Sequence, residues 1–245
     1  MNTLLTCTNH SLIHFISNLD IKNKNIYRSN ILREEDFKIF DMVYVLSDLH
    51  DITKLLKILE NRSDWVSVFL IIENTYDREI YKVLKPDDSV FILTKKQFLD
   101  SKNIIADIIN MNFGFMPYYE EDDNSTLFPL DTFDKNDNDV SLDYDDYIAL
   151  LKTGYSYAAT EEFIGKEPVS NILTKTLNNF QNLTEIKAFI LQYTFGSGVK
   201  IEMISKHYEI LENTTQNPDI EIYFATRKII SLPKNYIKLT MIGMY

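Results

Sequence analysis

Ser141-Leu142-Asp143-Tyr144-Asp145-Asp146-Tyr147 is the stretch around which the rest of the chain can be organised. Val140 leads into it, and the apolar run Ile148-Ala149-Leu150-Leu151 follows. Asp143 and Asp146 are spaced as at a helix start. Asp143 suits the N-cap, and Asp146 then falls in the first turn, where its charge complements the helix dipole. Both carboxylates therefore stand together at a loop–helix junction. Capping alone accounts for such a pair, and a functional acidic loop would look the same at this level.

Upstream of this stretch the chain is strongly acidic. From Tyr118 to Asp146 there are eleven acids and one base, Lys135, so this segment carries −10 of the formal −11. Residues 120–139 read as an acidic loop or linker, because their few apolar side chains (Phe128, Leu130, Phe133) bury too little to offset ordering. Four consecutive acids, Glu120 to Asp123, lack the ligand spacing of a calcium loop. A nucleic-acid binder needs a basic stripe, and none is visible, so nucleic acid is excluded as a partner.

At 245 residues the chain can form one sizeable core or two small ones. No apolar run reaches the ~20 residues that cross a bilayer. Met1-Asn2-Thr3-Leu4-Leu5 lacks the basic and apolar regions of a signal peptide, so no membrane insertion and a cytoplasmic location are expected. Cys7 is a single cysteine in an apolar strand and reads as a buried, inert thiol.

Residues 1–119 alternate strands with helices, which predicts an α/β domain with a parallel sheet. Strands are expected at residues 3–7, 25–28, 41–47, 65–72 and 89–93, and helices at 11–19, 52–59, 76–84 and 97–111. Residues 140–245 read differently. Strands at 154–159, 186–193, 220–226 and 237–242 surround helices beginning at Pro168 and spanning 203–211, an α+β pattern with a turn at Gly196-Ser197-Gly198. The expected organisation is 1–119, then the linker 120–139, then 140–245.

Ser141-Leu142-Asp143-Tyr144-Asp145-Asp146 resembles the Asn-Leu-Asp-Phe-x-Asp loop of the FtsZ/tubulin superfamily. Downstream, Gly154 with Ala158 and Ala159, the strand ending Thr194-Phe195-Gly196-Ser197-Gly198, the run Asn217 to Thr226, and Lys238-Leu239-Thr240-Met241-Ile242-Gly243 follow the order of that family's carboxyl-terminal domain. The resemblance implies an FtsZ/tubulin-like fold: a degenerate Rossmann-like, GTPase-like α/β domain followed by an α+β domain with a mixed sheet. In the family the acidic loop enters the nucleotide site of the next subunit and activates water. Carried over, that role falls on Ser141, Asp143 and Asp146, with serine in place of asparagine.

The amino-terminal half departs from the family where phosphates would bind. Glycine lets backbone N–H groups crowd around a phosphate. The loop after the first strand reads Thr8-Asn9-His10-Ser11, and the loop after Ser47 reads Asp48-Leu49-His50-Asp51. The first glycine is Gly114, and Asp48 and Asp51 would repel phosphate. Thr8, Asn9, His10, Ser47, Asp48 and His50 thus mark degenerate phosphate loops, and no nucleotide or other cofactor is expected. The histidines are scattered and no metal site is expected. His50 with Asp48 and Asp51, at a strand's carboxyl end, is the residual site candidate, against a plain polar loop.

The reading is a catalytically inactive FtsZ-like protein acting through protein–protein interaction. Its implied partner is an FtsZ or a second copy, met through the acidic-loop face, where it modulates or caps filaments in cell division. The alternatives are a nucleotide switch or GTPase with an altered site, or a scaffold of this fold with an unrelated partner. Since the sequence stops at Tyr245, recruitment of membrane adaptors through a flexible tail is not expected.

Overall fold

A computed structural model describes residues 2–21, 26–29, 31–48, 52–63, 65–73, 78–85, 88–93, 102–115, 149–151, 155–165, 168–200, 204–229 and 231–245. Two compact units divide the chain. One comprises residues 1–110 and 148–156, and the other contains Tyr157–Tyr245. The segment 120–139 lies outside the described residues.

In the first unit, strands β1 (Thr3–Cys7), β2 (Ile26–Arg28), β3 (Met42–Ser47), β4 (Ser67–Glu73) and β5 (Ser89–Leu93) lie in the order β2-β1-β3-β4-β5. All four pairings are parallel. The reason is visible in the strands: β1, β3 and β5 are buried at every position, as suits a sheet covered on both faces. Tyr44 and Phe69 face each other in register across β3 and β4 and stack with centroids 4.9 Å apart. Each such buried ring stabilises the core by about 1.5–3 kcal/mol.

The helices of this unit are α1 (Ile13–Ser17), α2 (Ile52–Glu60), α3 (Arg78–Val83) and α4 (Lys102–Phe115). On α2, Leu55 and Leu59 are buried one turn apart. On α4, Ile104, Ile105, Ile108 and Ile109 are buried. A 3-10 helix at Glu34–Lys38 was not expected from the sequence. Its Asp36 carboxylate accepts from the Arg33 N–H at 2.8 Å, and Leu32 and Phe37 anchor it in the core. Strand β4 starts two residues later than expected, which leaves Trp65 55% exposed before it.

One corner of the first unit holds a buried ion pair. Arg62, after α2, donates through Nη2 to the Asp88 carboxylate just before β5, and neither side chain is exposed. The same carboxylate accepts from the backbone N–H groups of Val68 (2.9 Å) and Lys85 (2.6 Å). Burial pushes the Asp88 carboxyl above its ordinary pKa, while these amides and the guanidinium pull it back. Among the described residues, Nε and Nη1 of Arg62 have no hydrogen-bond partner.

The second unit has a mixed sheet in the order β6-β9-β7-β8, with β6 at Tyr155–Ile164, β7 at Ala188–Phe195, β8 at Glu221–Lys228 and β9 at Tyr236–Met244. β7 runs parallel to β8 and antiparallel to β9. β6 continues five residues beyond the expected end, in step with its nine-residue neighbour β9; Thr160 and Thr240 share a hydroxyl hydrogen bond of 2.8 Å. Helix α5 spans Pro168–Leu177, as expected, and α6 spans His207–Thr215, displaced from the expected 203–211. Ile204 is buried in the turn before α6, and Gln216, at φ 55°, ends it. His207, the first residue of α6, is buried.

His207 joins three elements. Its Nε2–H donates to the Val169 carbonyl of α5 at 2.9 Å, which leaves Nδ1 to accept from the Tyr193 hydroxyl of β7. Burial lowers the His207 pKa, with the Val169 carbonyl opposing, and raises that of Tyr193. The folded state therefore binds the His207 proton less readily than the unfolded chain. This contribution to stability is complete above the unfolded value near 6.5 and is lost as pH falls toward the lower folded value. Melting temperature followed by circular dichroism should be flat from about pH 8 to 7 and decline below about pH 6.5, with the decline reduced in His207→Gln. An equal decline in the variant would remove His207 as its cause.

Candidate functional site

Because β1 and β3 are parallel neighbours, the loops that leave their carboxyl ends lie side by side, on the edge of a parallel sheet that usually carries ligands. Five of the six residues singled out in these loops are described: Thr8, Asn9 and His10 after β1, and Ser47 and Asp48 at the end of β3. The sixth, His50, lies outside the described residues, as do Asp51 of the same residual candidate and Ser141, Asp143 and Asp146. Residues 149–151, just beyond the acidic stretch, are helical, and Leu151 is buried.

The two loops are bonded to each other. The Thr8 N–H donates to the Leu46 carbonyl at 3.0 Å, which extends the β1–β3 ladder past Cys7. The buried Thr8 hydroxyl donates to the Ser47 hydroxyl at 3.1 Å, and that hydroxyl donates to the Asp48 carbonyl at 3.2 Å. The Asn9 amide donates to the Asp48 carboxylate at 2.6 Å. The thiol of Cys7, fully buried as expected, donates to the Asn9 carbonyl at 3.1 Å.

Asn9 also caps the short 3-10 helix His10–Leu12. Its backbone is extended, and its Oδ1 accepts from the N–H groups of Ser11 (3.0 Å) and Leu12 (3.3 Å) and from the Ser11 hydroxyl. Those first-turn N–H groups are the donors that an anion at this edge would use. Here a side chain of the same loop takes them. His10 is exposed. Lys54, in the first turn of α2, reaches across so that its Nζ lies 3.4 Å from the Thr8 carbonyl. Its position one residue beyond the Asp48–Thr53 loop could have flagged it in the sequence, and it was not singled out.

Among the described residues of this edge, the Asp48 carboxylate is thus engaged by Asn9 and the Lys54 ammonium by the Thr8 carbonyl. Among the described residues, no group of three or more His, Cys, Asp or Glu side chains is placed to hold a metal. Among the same residues, no helix is long and apolar enough to cross a membrane.

This geometry, a parallel α/β unit and a mixed-sheet α+β unit, is shared with solved structures of the FtsZ/tubulin-like fold. An FtsZ mutant from M. jannaschii superposes with a TM-score of 0.62 at 11% identity over 99% of this chain and 90% of that one. TubZ from Bacillus thuringiensis serovar israelensis, in GDP-form protofilaments, gives 0.59 at 10% identity over 99% and 88%. CetZ from Methanosaeta thermophila strain DSM 6194 gives 0.57 at 10% identity over 100% and 86%. No family model and no curated protein matches the sequence. The chain has the FtsZ/tubulin-like fold expected from its sequence, with identities so low that the likeness is one of architecture.

Proposed function

We propose that this chain is a nucleotide-free, catalytically inactive protein of the FtsZ/tubulin-like fold that acts through protein–protein interaction in the cytoplasm. It joins the end of a filament built by an FtsZ-like protein and stops growth there, in cell division. The observation that carries this reading is the bonding of the β1 and β3 loops to one another through Asn9–Asp48 and Thr8–Ser47, with Asn9 on the first-turn N–H groups. A nucleotide phosphate at this edge would have to displace those bonds and meet the Asp48 carboxylate. The absence of glycine before Gly114 supports the same conclusion.

Docking falls to Ser141, Asp143 and Asp146, which retain the family-like acidic pattern in the sequence within the reading 1–119, 120–139 and 140–245. A subunit with one working face blocks addition of the next, since an open filament needs a head-to-tail contact on both faces. The neighbours solved as a dimer and as protofilaments make self-association through the same face a related outcome.

The test is sedimentation of the FtsZ-like filament protein of the same cell with GTP, alone, with this chain, and with Asp143→Ala/Asp146→Ala. The wild-type chain should shorten polymers at low ratio, and the double variant should not. Calorimetry with GTP should show no binding at about 10 μM, a free energy of about −7 kcal/mol. Unchanged polymer with both proteins, or GTP binding at that level, refutes the proposal.

A further inference from the structure

Residues 157–245 of the second unit are neutral in sum but polarised in space. Residues 157–245 hold nine bases and nine acids. Residues 226–238 contain Arg227, Lys228, Lys234 and Lys238 and no acid, while residues 194–206 add Lys200 and Lys206 against Glu202 alone.

The fold brings these two stretches to one end. Phe195 at the close of β7 pairs with Lys228 at the close of β8, and Thr194 pairs with Arg227 on one side and Lys238 on the other. Arg227, Thr194 and Lys238 thus form a row across three strands, and Lys238 lies 3.7 Å from Glu162 of β6. The loop after β7 then lies against the loop before β9: the Gly198 N–H donates to the Lys234 carbonyl at 2.7 Å, and the Gly196 N–H to the Tyr236 carbonyl at 3.0 Å. Lys200 follows Gly198 by two residues in the loop bonded to Lys234, and Lys200 and Lys234 are both exposed. Lys206 is exposed just before His207, whose ring bonds Tyr193 near the same end of β7.

Three exposed ammonium groups, with Arg227, Lys228 and Lys238 beside them, make a cationic surface on a chain of net charge −11. We propose that this end of the second unit docks an acidic peptide segment, and that the occupant is the acidic stretch 118–146 of a second copy. The argument is charge complementarity. That stretch carries −10, the largest anionic block in the sequence, and charges act over about 8 Å at physiological salt, so local attraction outweighs the repulsion of distant like charges. Nucleic acid and anionic membranes meet a strongly negative molecule elsewhere and gain less. This surface is separate from the β1–β3 edge, but its occupant includes Asp143 and Asp146 of the filament-capping reading; a peptide of residues 118–139, which carries −7 and omits both, keeps the two readings distinguishable.

The test uses the full chain and a fluorescein-labelled synthetic peptide of residues 118–139, titrated by anisotropy at about 50 mM and about 300 mM salt. Binding should be present at low salt and weaken at high salt, and Lys200→Glu/Lys234→Glu should weaken it by at least about tenfold. Both lysines are exposed, so the variant should keep the wild-type circular dichroism melt. Sedimentation velocity should show a low-salt dimer for wild type and a monomer for the variant. A wild-type monomer at all salts overturns the second-copy assignment. Peptide binding that is absent or insensitive to the charge reversal overturns the surface itself, as does capture of RNA or anionic vesicles instead of the peptide.

Discussion

Asp88→Ala should destabilise the protein by about 3–5 kcal/mol, the cost of breaking a buried ion pair from one side. Its carboxylate is the acceptor for Arg62, for the Lys85 N–H and for the Val68 N–H, and all three donors are removed from water. Alanine leaves a buried guanidinium with no counter-charge in addition to its two unpartnered nitrogens. Arg62→Met should cost less, because Asp88 then keeps both backbone donors and the orphaned Nε and Nη1 disappear. Urea denaturation of the two variants measures the difference. If Arg62→Met proved as damaging as Asp88→Ala, the weight would lie in the pair itself and not in the carboxylate as a hub for the strand starts.

Gly196→Ala should cost about 3 kcal/mol, at the upper end of small-to-large changes. A Cβ at this position would lie 2.0 Å from the Pro233 carbonyl oxygen. That atom belongs to backbone and cannot rotate away. The Gly196 N–H also donates to Tyr236, so the loop cannot retreat without losing the first bond of the β7–β9 ladder. Ser197→Ala, at the exposed neighbour, is the control and should change little. Hydrogen exchange at the Gly198 and Tyr236 amides should quicken in Gly196→Ala; a melt and exchange pattern like wild type would mean that the two loops separate without penalty.

Much of the architecture was legible because its signals are local. The apolar runs at residues 41–47 and 89–93 and the alternation of strands and helices specify a buried parallel sheet, and the strands appear there. Pro168 marks the first residue of α5, as its missing N–H predicts. Features set by partners distant in sequence were not legible. The burial of His207 depends on Tyr193 and Val169, and the length of β6 depends on β9. The Glu34–Lys38 turn lacks a periodic stripe, since Phe37 is the one buried residue within it. At the candidate site, the residue types at the loop positions were readable, but the Asn9–Asp48 bond spans 39 residues and needs the β1–β3 register to exist. Lys54 escaped notice for the same reason: its target is a backbone carbonyl on another loop.

Trp65 has a practical consequence for every unfolding measurement on this protein. It is the chain's single tryptophan and is already 55% exposed in the folded state. An indole in contact with solvent emits at long wavelength before any denaturant is added, so global unfolding has little spectral shift left to produce. Its emission instead samples its own surroundings, three residues from Arg62 and two before β4. Tryptophan fluorescence thus serves as a local gauge of the Arg62–Asp88 corner, to be read beside circular dichroism as the gauge of the whole.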